Sequence, residues 1–294
     1  MVHLEMGGKR VKKRVYVRRK KGLRAVKIFA VILAAVFVSL AALEGGYLYL
    51  HASHKKFTPD YQKEDISHIL EKKQLTSEDY DTLFMQTGLS KTAVDDFFSQ
   101  NNADGILSVQ NDFFGNYETV HQLFAPFTCC HRVEENITVA PIKKGDIIVS
   151  LTTHFTGFLL GHATIVTDPD YDETAVSIGY MSKSFIGDVP SATNRESFVL
   201  LRYKDSQKAA AAADYARENL VNLPYSVSVG FTTKKFPEKP IATQCGHLVW
   251  YAYKKQGIDI DSNGGPFVYP KDILKSDELE VIQVFGMNPE EFKN

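Results

Sequence analysis

The sequence predicts an α+β domain with an antiparallel sheet, preceded by one membrane-spanning helix and a small helical region. Three observations lead to this prediction. The predicted strands and helices of the second half come in blocks and do not alternate, which is typical of α+β folds. A long apolar stretch lies near the start of the chain, and two short helical patterns follow it. With 294 residues, the chain has room for one sizeable domain and these additions.

The charges are distributed unevenly along the chain. Residues 1–27 contain eleven Lys and Arg residues and a single acid, Glu5. Residues 57–294 contain 21 Lys and Arg residues against 33 Asp and Glu residues, a net charge of −12 with histidine neutral. A block of like charge at one end normally marks an interaction tail. Because an apolar segment follows at residues 28–50, we assign residues 1–27 as a basic cytoplasmic tail.

Residues 28–50 predict a transmembrane helix. This stretch of 23 residues is mostly apolar and contains Glu44 as its only charged residue, and about 20 residues cross a bilayer core. The positive-inside rule keeps the basic tail in the cytoplasm, which gives a single-pass cell-membrane protein with residues 51–294 outside. A cleaved signal peptide is the alternative, with small residues available around Ser39–Ala42. The basic residues could also bind nucleic acid, but beside an apolar span we expect membrane lipid as the partner and no nucleic acid.

Two regions separate this helix from the main domain. Residues 51–62 form a polar linker, and residues 63–139 form a helical accessory region. Helical spacing of apolar residues predicts helices over Asp65–Lys73, after a cap at Thr76, and over Thr92–Gln100. This region could be a small binding module or could pack on the main domain. Residues 101–140 carry no clear pattern.

The main domain is predicted to span residues 140–294. The expected strands are Gly145–Leu151, Gly161–Thr167, Thr174–Met181, Phe198–Tyr203 and Leu279–Phe285, and the expected helices are Ser206–Asn222 and Thr243–Lys255. Gly257 is expected to end the second helix as a C-cap.

Cys245 is the candidate nucleophile. It is one of three cysteines, with Cys129 and Cys130, and three cysteines do not form a disulfide framework. With Thr243 as N-cap, Cys245 lies in the first helical turn, where the helix dipole favours the thiolate. Exposed amides at that end could also hold an oxyanion. The alternative reading is a small buried packing residue.

His162 is the candidate base, because a thiolate nucleophile needs a neighbouring group to take and return a proton. Of nine histidines, His162 begins a predicted strand that would hold its ring firmly. His247 follows Cys245 by two residues, about 200° around the helix, and so points away. His154 is predicted to lie in a loop and is a candidate substrate-binding residue.

The group that orients His162 is expected on the next strand. If residues 161–167 and 174–181 form a hairpin, the positions opposite His162 fall around residues 177–180. Ser177 and Tyr180 are then the candidates for a third catalytic residue, and Glu173 is a poorer one. The alternative is that these residues are ordinary strand positions.

These residues together resemble a known family. The strand at Gly145-Asp146-Ile147-Ile148, Gly161-His162-Ala163 before an apolar strand, Pro224-Tyr225, and Cys245 opening an aromatic-rich helix that ends at Gly257-Ile258-Asp259 are similar to NlpC-type papain-like cysteine hydrolases. In standard members the cysteine precedes the histidine, whereas here His162 precedes Cys245. That order resembles the circularly permuted YiiX/YebB-like branch, related to the lecithin retinol acyltransferase fold. Standard members tend to have Asp-Cys-Ser-Gly where this chain has Gln244-Cys245-Gly246-His247.

The resemblance covers about residues 140–285 and implies a circularly permuted papain-like (NlpC-type) domain. It implies Cys245 as nucleophile, His162 as base and Tyr225 on the oxyanion side, with no metal or cofactor. The expected activity is hydrolysis of amide bonds through a thioester acyl-enzyme, with cell-wall peptides as substrate. Hydrolysis or transfer of lipid-like acyl esters and amides on the same fold is the alternative, as is a binding module without catalysis.

Overall fold

The computed structural model describes residues 7–53, 57–117, 119–120, 128–130, 132–133, 136–155, 158–177 and 182–293. The helices within these ranges are α1 (Gly7–Ser53), α2 (Ser67–Leu70), α3 (Ser77–Thr87), α4 (Lys91–Ser99), α5 (Ala103–Phe114), α6 (Pro190–Thr193), α7 (Ser206–Asn219), α8 (Cys245–Lys255) and α9 (Pro270–Leu274). The strands are β1 (Thr119–Val120), β2 (Thr128–Cys130), β3 (Arg132–Val133), β4 (Ile147–Ser150), β5 (Thr153–Phe155), β6 (Phe158–Leu159), β7 (His162–Asp168), β8 (Glu173–Val176), β9 (Phe185–Asp188), β10 (Phe198–Tyr203) and β11 (Leu279–Phe285).

A six-stranded antiparallel sheet forms the centre of the fold, in the order β11-β10-β4-β7-β8-β9. The α+β class expected from the sequence is therefore observed. β4, β7 and β10 are buried along almost their whole length, because helices cover both faces of the sheet. Two smaller sheets, β1-β3 and β2-β5-β6, lie outside the central one.

The two faces of the sheet carry separate cores. On one face, Val149, Ile165 and Leu201 pack with α7 and α8. The small side chains of α7, all alanine along its buried face, let that helix lie close to the sheet. On the other face, Ile148, Val166 and Leu200 pack with residues of α3, α4 and α5. The helical accessory region thus shares a core with the sheet.

A buried ion cluster also joins the accessory region to the sheet. Arg202 on β10 donates to Asp146 Oδ2 (2.7 Å) just before β4 and to Asp96 Oδ2 (2.6 Å) on α4. Lys143 Nζ adds a second cation to Asp96 at 2.8 Å. Asp146 is 1% exposed, and a buried carboxylate is tolerated only when it is paired and hydrogen-bonded.

The first helix contains one segment long and apolar enough to cross a membrane, Arg24–Gly46, of 23 residues. This segment starts four residues earlier than the predicted span of 28–50. The difference arises because the helix continues through the end of the basic tail and past Tyr47. The predicted linker, residues 51–62, begins within the helix, whose last residue is Ser53.

Several predicted elements differ from the structure in their bounds. The helix expected over Asp65–Lys73 is only the four residues of α2, since Lys72 turns away to pair with Asp79 at the capping box of α3. α5 falls within residues 101–140, where the sequence showed no pattern. The strand expected over Thr174–Met181 ends at Val176, and residues 178–181 lie outside the described residues.

Helix α8 also begins later than predicted. Gln244, not Thr243, is its N-cap, because the Gln244 side chain accepts from the Gly246 N–H at 2.9 Å. Thr243 is instead paired in extended conformation with Tyr225. Gly257 follows the last residues of the helix with φ +79°, the left-handed conformation expected of it.

Candidate active site

Cys245 is the first residue of α8 and lies at the end of the sheet where β7 begins. Its sulfur is 3.6 Å from Gln244 Oε1, the same oxygen that caps the Gly246 N–H. Gln244 Nε2 donates in turn to the carbonyl oxygen of Val268 at 2.8 Å. Cys245 is 8% exposed. The nucleophile candidate is therefore held at a capped helix start and almost closed off from solvent.

Two opposing effects act on the pKa of the Cys245 thiol. Burial is the larger one and raises the pKa above its usual value. The backbone N–H groups of Ala163, Gly246 and Cys245 itself, together with the Arg195 guanidinium, act in the opposite direction by favouring the thiolate. The net direction is upward, so the thiol keeps its proton in this arrangement at neutral pH.

His162 lies at the first position of β7, paired with Ser150 on β4. It is 6% exposed. Burial, followed by the charge of Arg195, holds the pKa of its ring well below the usual range. The imidazole is consequently neutral, the form that a general base requires. Its neighbour Ala163 carries the N–H that acts on the Cys245 sulfur.

The structure thus brings the strand start at His162 to the helix start at Cys245. No hydrogen bond joins the Cys245 sulfur to the His162 ring within the part of the chain that the structure describes. The directions of the two pKa shifts favour an uncharged thiol at Cys245 and an uncharged imidazole at His162. Nucleophile–base contacts are often looser without substrate than during reaction.

Two glycines allow the close approach of the elements around this pair. A Cβ on Gly246 would lie 2.2 Å from the carbonyl oxygen of Val268. Gly161 has φ +77°, and a Cβ there would lie 2.8 Å from the carbonyl oxygen of Ser150 and 3.2 Å from the Cβ of Pro270. Residues 268–270 therefore pass against both the residue after Cys245 and the residue before His162.

Arg195 is a site residue that the sequence reasoning missed. It is 5% exposed, and its Nη1 donates to Thr153 Oγ1 at 2.6 Å while its Nε donates to the carbonyl oxygen of Ser191 at 3.2 Å. Its charge acts on both Cys245 and His162. The only signal in the sequence was a basic residue shortly before the fully buried β10, and that position alone does not predict a contact with residues 162 and 245.

Tyr225 lies next to Cys245 in the structure. Its backbone runs beside Thr243, two residues before the cysteine, and its N–H donates to the carbonyl oxygen of Ser182 at 3.0 Å. Burial and then the proximity of Cys245 raise the pKa of its phenol well above the usual value. The phenol therefore remains a hydrogen-bond donor at any physiological pH.

Ser177 follows β8. Ala175 on β8 is paired with Ile165 on β7 in an antiparallel ladder. Ser177, two residues after Ala175, therefore comes level with Ala163, two residues before Ile165. Its hydroxyl is buried and finds no hydrogen-bond partner among the described residues. Tyr180, the other candidate for the third group, lies outside the described residues.

His154 lies in β5, where it is paired with Cys129 of β2 and Leu159 of β6. The prediction that it lies in a loop was wrong, because the three-stranded sheet β2-β5-β6 was not apparent from strands of two or three residues. Its side chain lies outside the described part of the structure. The substrate-binding role expected of it remains a prediction.

His247 lies away from Cys245, in a structural position. Its Nε2–H donates to the carbonyl oxygen of Lys235 at 2.8 Å, and its Nδ1 is 3.0 Å from the Thr243 hydroxyl. Burial, opposed by the Lys235 carbonyl, lowers the pKa of its ring to about 4. With both ring nitrogens engaged, His247 holds the segment before α8 in place and is not available as a base for Cys245.

The described residues contain no group of three or more His, Cys, Asp or Glu side chains that could hold a metal ion. Around Cys245 and His162 the site also contains a cation, Arg195, and a phenol, Tyr225. The chemistry within reach of this arrangement is nucleophilic attack by sulfur with proton transfer by imidazole.

Comparisons with known proteins give partial matches. No protein-family model matches the chain. A segment of 72 residues is 44% identical to the uncharacterized protein YycO of Bacillus subtilis, and it spans 24% of this chain and 28% of that protein. Among solved structures, the metalloprotein yiiX from Escherichia coli O157:H7 superposes with a TM-score of 0.35 and 12% identity, over 48% of this chain and 97% of the other.

Proposed function

We propose that this chain is a membrane-anchored cysteine hydrolase that cleaves amide bonds through a thioester acyl-enzyme. The observation that carries the proposal is the meeting of Cys245, at the start of α8, with the segment His162–Ala163 at the start of β7, under the charge of Arg195. A thiol at a helix start beside a neutral histidine is the arrangement that thiol acyl transfer needs.

The reaction follows from the protonation states of the two groups. His162 takes the thiol proton as the Cys245 sulfur attacks the substrate carbonyl carbon, and the carbonyl oxygen becomes an oxyanion. The backbone N–H of Cys245, which has no partner within its helix, and the Tyr225 phenol are the donors we assign to this oxyanion. His162 then returns the proton to the leaving amine as the C–N bond breaks.

Hydrolysis of the thioester completes the cycle. His162 takes a proton from water, whose oxygen attacks the thioester carbonyl, and the C–S bond breaks with return of the proton to sulfur. Ser177 is a candidate for orienting His162, because it follows the strand paired with β7 and its buried hydroxyl finds no hydrogen-bond partner among the described residues. Tyr180 and His154 remain candidates for orientation and for substrate binding.

The circularly permuted papain-like fold is part of this proposal. It is supported by the chain order, in which His162 precedes Cys245, and by the antiparallel sheet with α8 packed on one face. We place the domain outside the cell, since the basic residues before Arg24–Gly46 favour the cytoplasm. Cell-wall peptides are then the substrate within reach, and acyl esters or amides are the alternative.

The test follows acylation of the full chain in detergent micelles. Because the resting thiol is protonated, trapping an acyl adduct is more informative than simple alkylation. We expect an activated acyl ester to label Cys245, mapped by mass spectrometry, and Cys245→Ala to abolish labelling and turnover. His162→Gln should slow acylation by about 10³-fold.

The matched control is the double variant Cys129→Ala with Cys130→Ala, which should acylate and turn over like the wild type. A panel of wall-peptide amides and acyl esters, compared by kcat/KM, identifies the scissile bond. The proposal fails if Cys245→Ala turns over these substrates at the wild-type rate, or if no member of the panel acylates Cys245. The second result would favour a binding module.

A further inference from the structure

An exposed row of aromatic rings lies beside the start of α8. The rings of Phe231 and Phe267 are stacked with centroids 6.2 Å apart, and Tyr269 follows at 5.9 Å from Phe267. Phe231 is 77% exposed and Tyr269 is 41% exposed. We call these three residues the aromatic row. Burying such rings is favourable, so a large exposed ring in a fixed place indicates a surface that meets a partner.

The loop that carries Phe231 is fixed at its base by close backbone packing on one side and by an ion pair on the other. Gly230 has φ +96°, and a Cβ there would lie 1.7 Å from the carbonyl oxygen of Pro266, so residue 230 is pressed against the segment that carries Phe267. On the other side of the loop, Lys235 Nζ is paired with Asp261 and donates to the carbonyl oxygen of Gly265 at 2.6 Å. Residues 231–234 therefore project from a closed base.

The charge of this loop is opposite to that of the domain around it. Residues 57–294 carry a net charge of −12, but residues 230–241 contain Lys234, Lys235 and Lys239 and a single acid, Glu238. Lys234 lies at the tip with Phe231, and both Lys234 and Lys239 are exposed. A local positive surface with exposed aromatic rings is complementary to an anionic lipid surface.

The covalent attachment of the domain brings this surface within reach of a bilayer. Phe57 is tied to the folded part of the chain, since its N–H donates to the carbonyl oxygen of Gly286 at 3.0 Å. Eleven positions separate Phe57 from Gly46, the end of the segment able to span a membrane. Even fully extended, this stretch reaches only about 40 Å, so the local concentration of lipid around the domain is high.

From these observations we infer that the aromatic row, with Lys234 and Lys239, docks on the anionic surface of the bilayer that holds α1. The rings of Phe231 and Phe267 enter the interfacial region, where aromatic side chains are favoured, and the two lysines contact lipid headgroups. Because residues 268–269 lie against Gly246, the docked domain presents the start of α8 to the membrane surface. The inference does not depend on catalysis by Cys245.

The experiment measures the depth of a reporter in the full chain, reconstituted in bilayers with lipids brominated on the acyl chains. Trp250 is the chain's single tryptophan and is 3% exposed, so the wild type supplies the baseline. Phe231→Trp places a reporter in the row. Tyr171→Trp is the matched control, because Tyr171 is 78% exposed at the β7–β8 turn. Unchanged thermal midpoints show that both variants fold.

We expect emission from Phe231→Trp to fall at least about twofold further with brominated lipid than the wild-type baseline, while Tyr171→Trp stays at that baseline. The added quenching should fall when Lys234→Glu and Lys239→Glu are introduced together, or when the lipid is zwitterionic. Equal quenching of the two reporters would overturn the inference. Emission that changes with protein-to-lipid ratio but not with bromination would instead indicate a second copy on the row. Quenching that is indifferent to headgroup charge would indicate an acyl-chain site, and it would also overturn the inference.

Discussion

Gln244 Nε2 donates a hydrogen bond of 2.8 Å to the carbonyl oxygen of Val268. One side chain therefore links the cap of α8, the Cys245 thiol and the segment that carries the aromatic row. Gln244, which caps α8 beside the sulfur, therefore also holds the backbone of the segment that carries Phe267 and Tyr269. Several consequences of this arrangement can be measured.

Substituting Gln244 separates the cap from the charge at the thiol. Gln244→Ala removes the cap, so the free energy of unfolding should fall by about 1 kcal/mol. Gln244→Glu keeps an oxygen that can accept the Gly246 N–H, but it puts a negative charge beside the sulfur and so raises the thiol pKa. Alkylation of Cys245 by iodoacetamide at pH 7.5 should then be slower for Gln244→Glu than for the wild type. An equal or faster rate would show that the thiol does not sense this side chain.

Arg195 should control the protonation of both site residues. Arg195→Met removes the cation that favours the thiolate, so alkylation of Cys245 should slow at neutral pH and recover at higher pH. The same change should raise the pKa of His162, visible as a ring-proton titration by NMR that moves upward. Arg217→Met is the control, since Arg217 pairs with Asp168 and Glu173 in a half-exposed position. A pH–rate profile that stays in place in Arg195→Met would remove Arg195 from the site.

His247 should make the domain sensitive to mild acid. Its folded-state pKa of about 4 lies below the value near 6.5 of an unfolded chain. Stability from the neutral ring is complete above pH 6.5. As the pH falls toward 4, His247 binds a proton in the unfolded state but not in the folded state. The free energy of unfolding therefore drops by about 3 kcal/mol.

The measurement is chemical unfolding followed by Trp250 fluorescence, because the Trp250 ring lies 5.8 Å from the His247 ring. His247→Asn should be less stable than the wild type at pH 7.5, yet lose less stability between pH 6.5 and 4.5. His68→Asn, at an exposed histidine, should keep the wild-type pH dependence. Parallel slopes for His247→Asn and the wild type would contradict the assignment of this effect to His247.

The buried ion cluster should be intolerant of a missing carboxylate. Asp146→Asn removes the more deeply buried of the two carboxylates that pair with Arg202 and leaves only Asp96, and breaking a buried ion pair typically costs about 3–5 kcal/mol. Asp214→Asn removes the partner of Lys144 from a pair that is about half exposed, and it should cost under about 1 kcal/mol. Denaturant midpoints of the two variants test this contrast. Similar midpoints would mean that Asp96 and water together compensate the charge of Arg202.

The elements that could be predicted from the sequence are those with a local apolar pattern that marks them as buried. β10 and β11 match their predicted bounds at both ends, because each is a run of strand-forming residues with polar or glycine neighbours. β9 was missed, since its half-exposed edge position requires no apolar pattern. α5 was missed because its apolar residues are interrupted by Gly105 and polar side chains that only the accessory core explains.

Some site residues could be predicted from local sequence patterns, whereas others are defined only by contacts between distant parts of the chain. Cys245 and His162 carry their own local signs, a helix start and a strand start, and the structure places those two starts together. Arg195 has no such sign, because its effect depends on a fold that brings residues 153, 162 and 245 around it. The choice between Thr243 and Gln244 as the cap depended on the pairing of Thr243 with Tyr225, which is also a long-range contact.

β11 has a consequence for biosynthesis. It pairs with β10 on one side, while the turn between α3 and α4 bonds to it through Gly88 and Ser90 on the other. The accessory helices, made early, thus have no complete docking surface until residues 279–286 have emerged. An unfinished chain would display the apolar faces of β10 and α4 to chaperones and proteases. Docking of the accessory helices on the full sheet therefore waits for the synthesis of β11, which comes after both His162 and Cys245 in the chain.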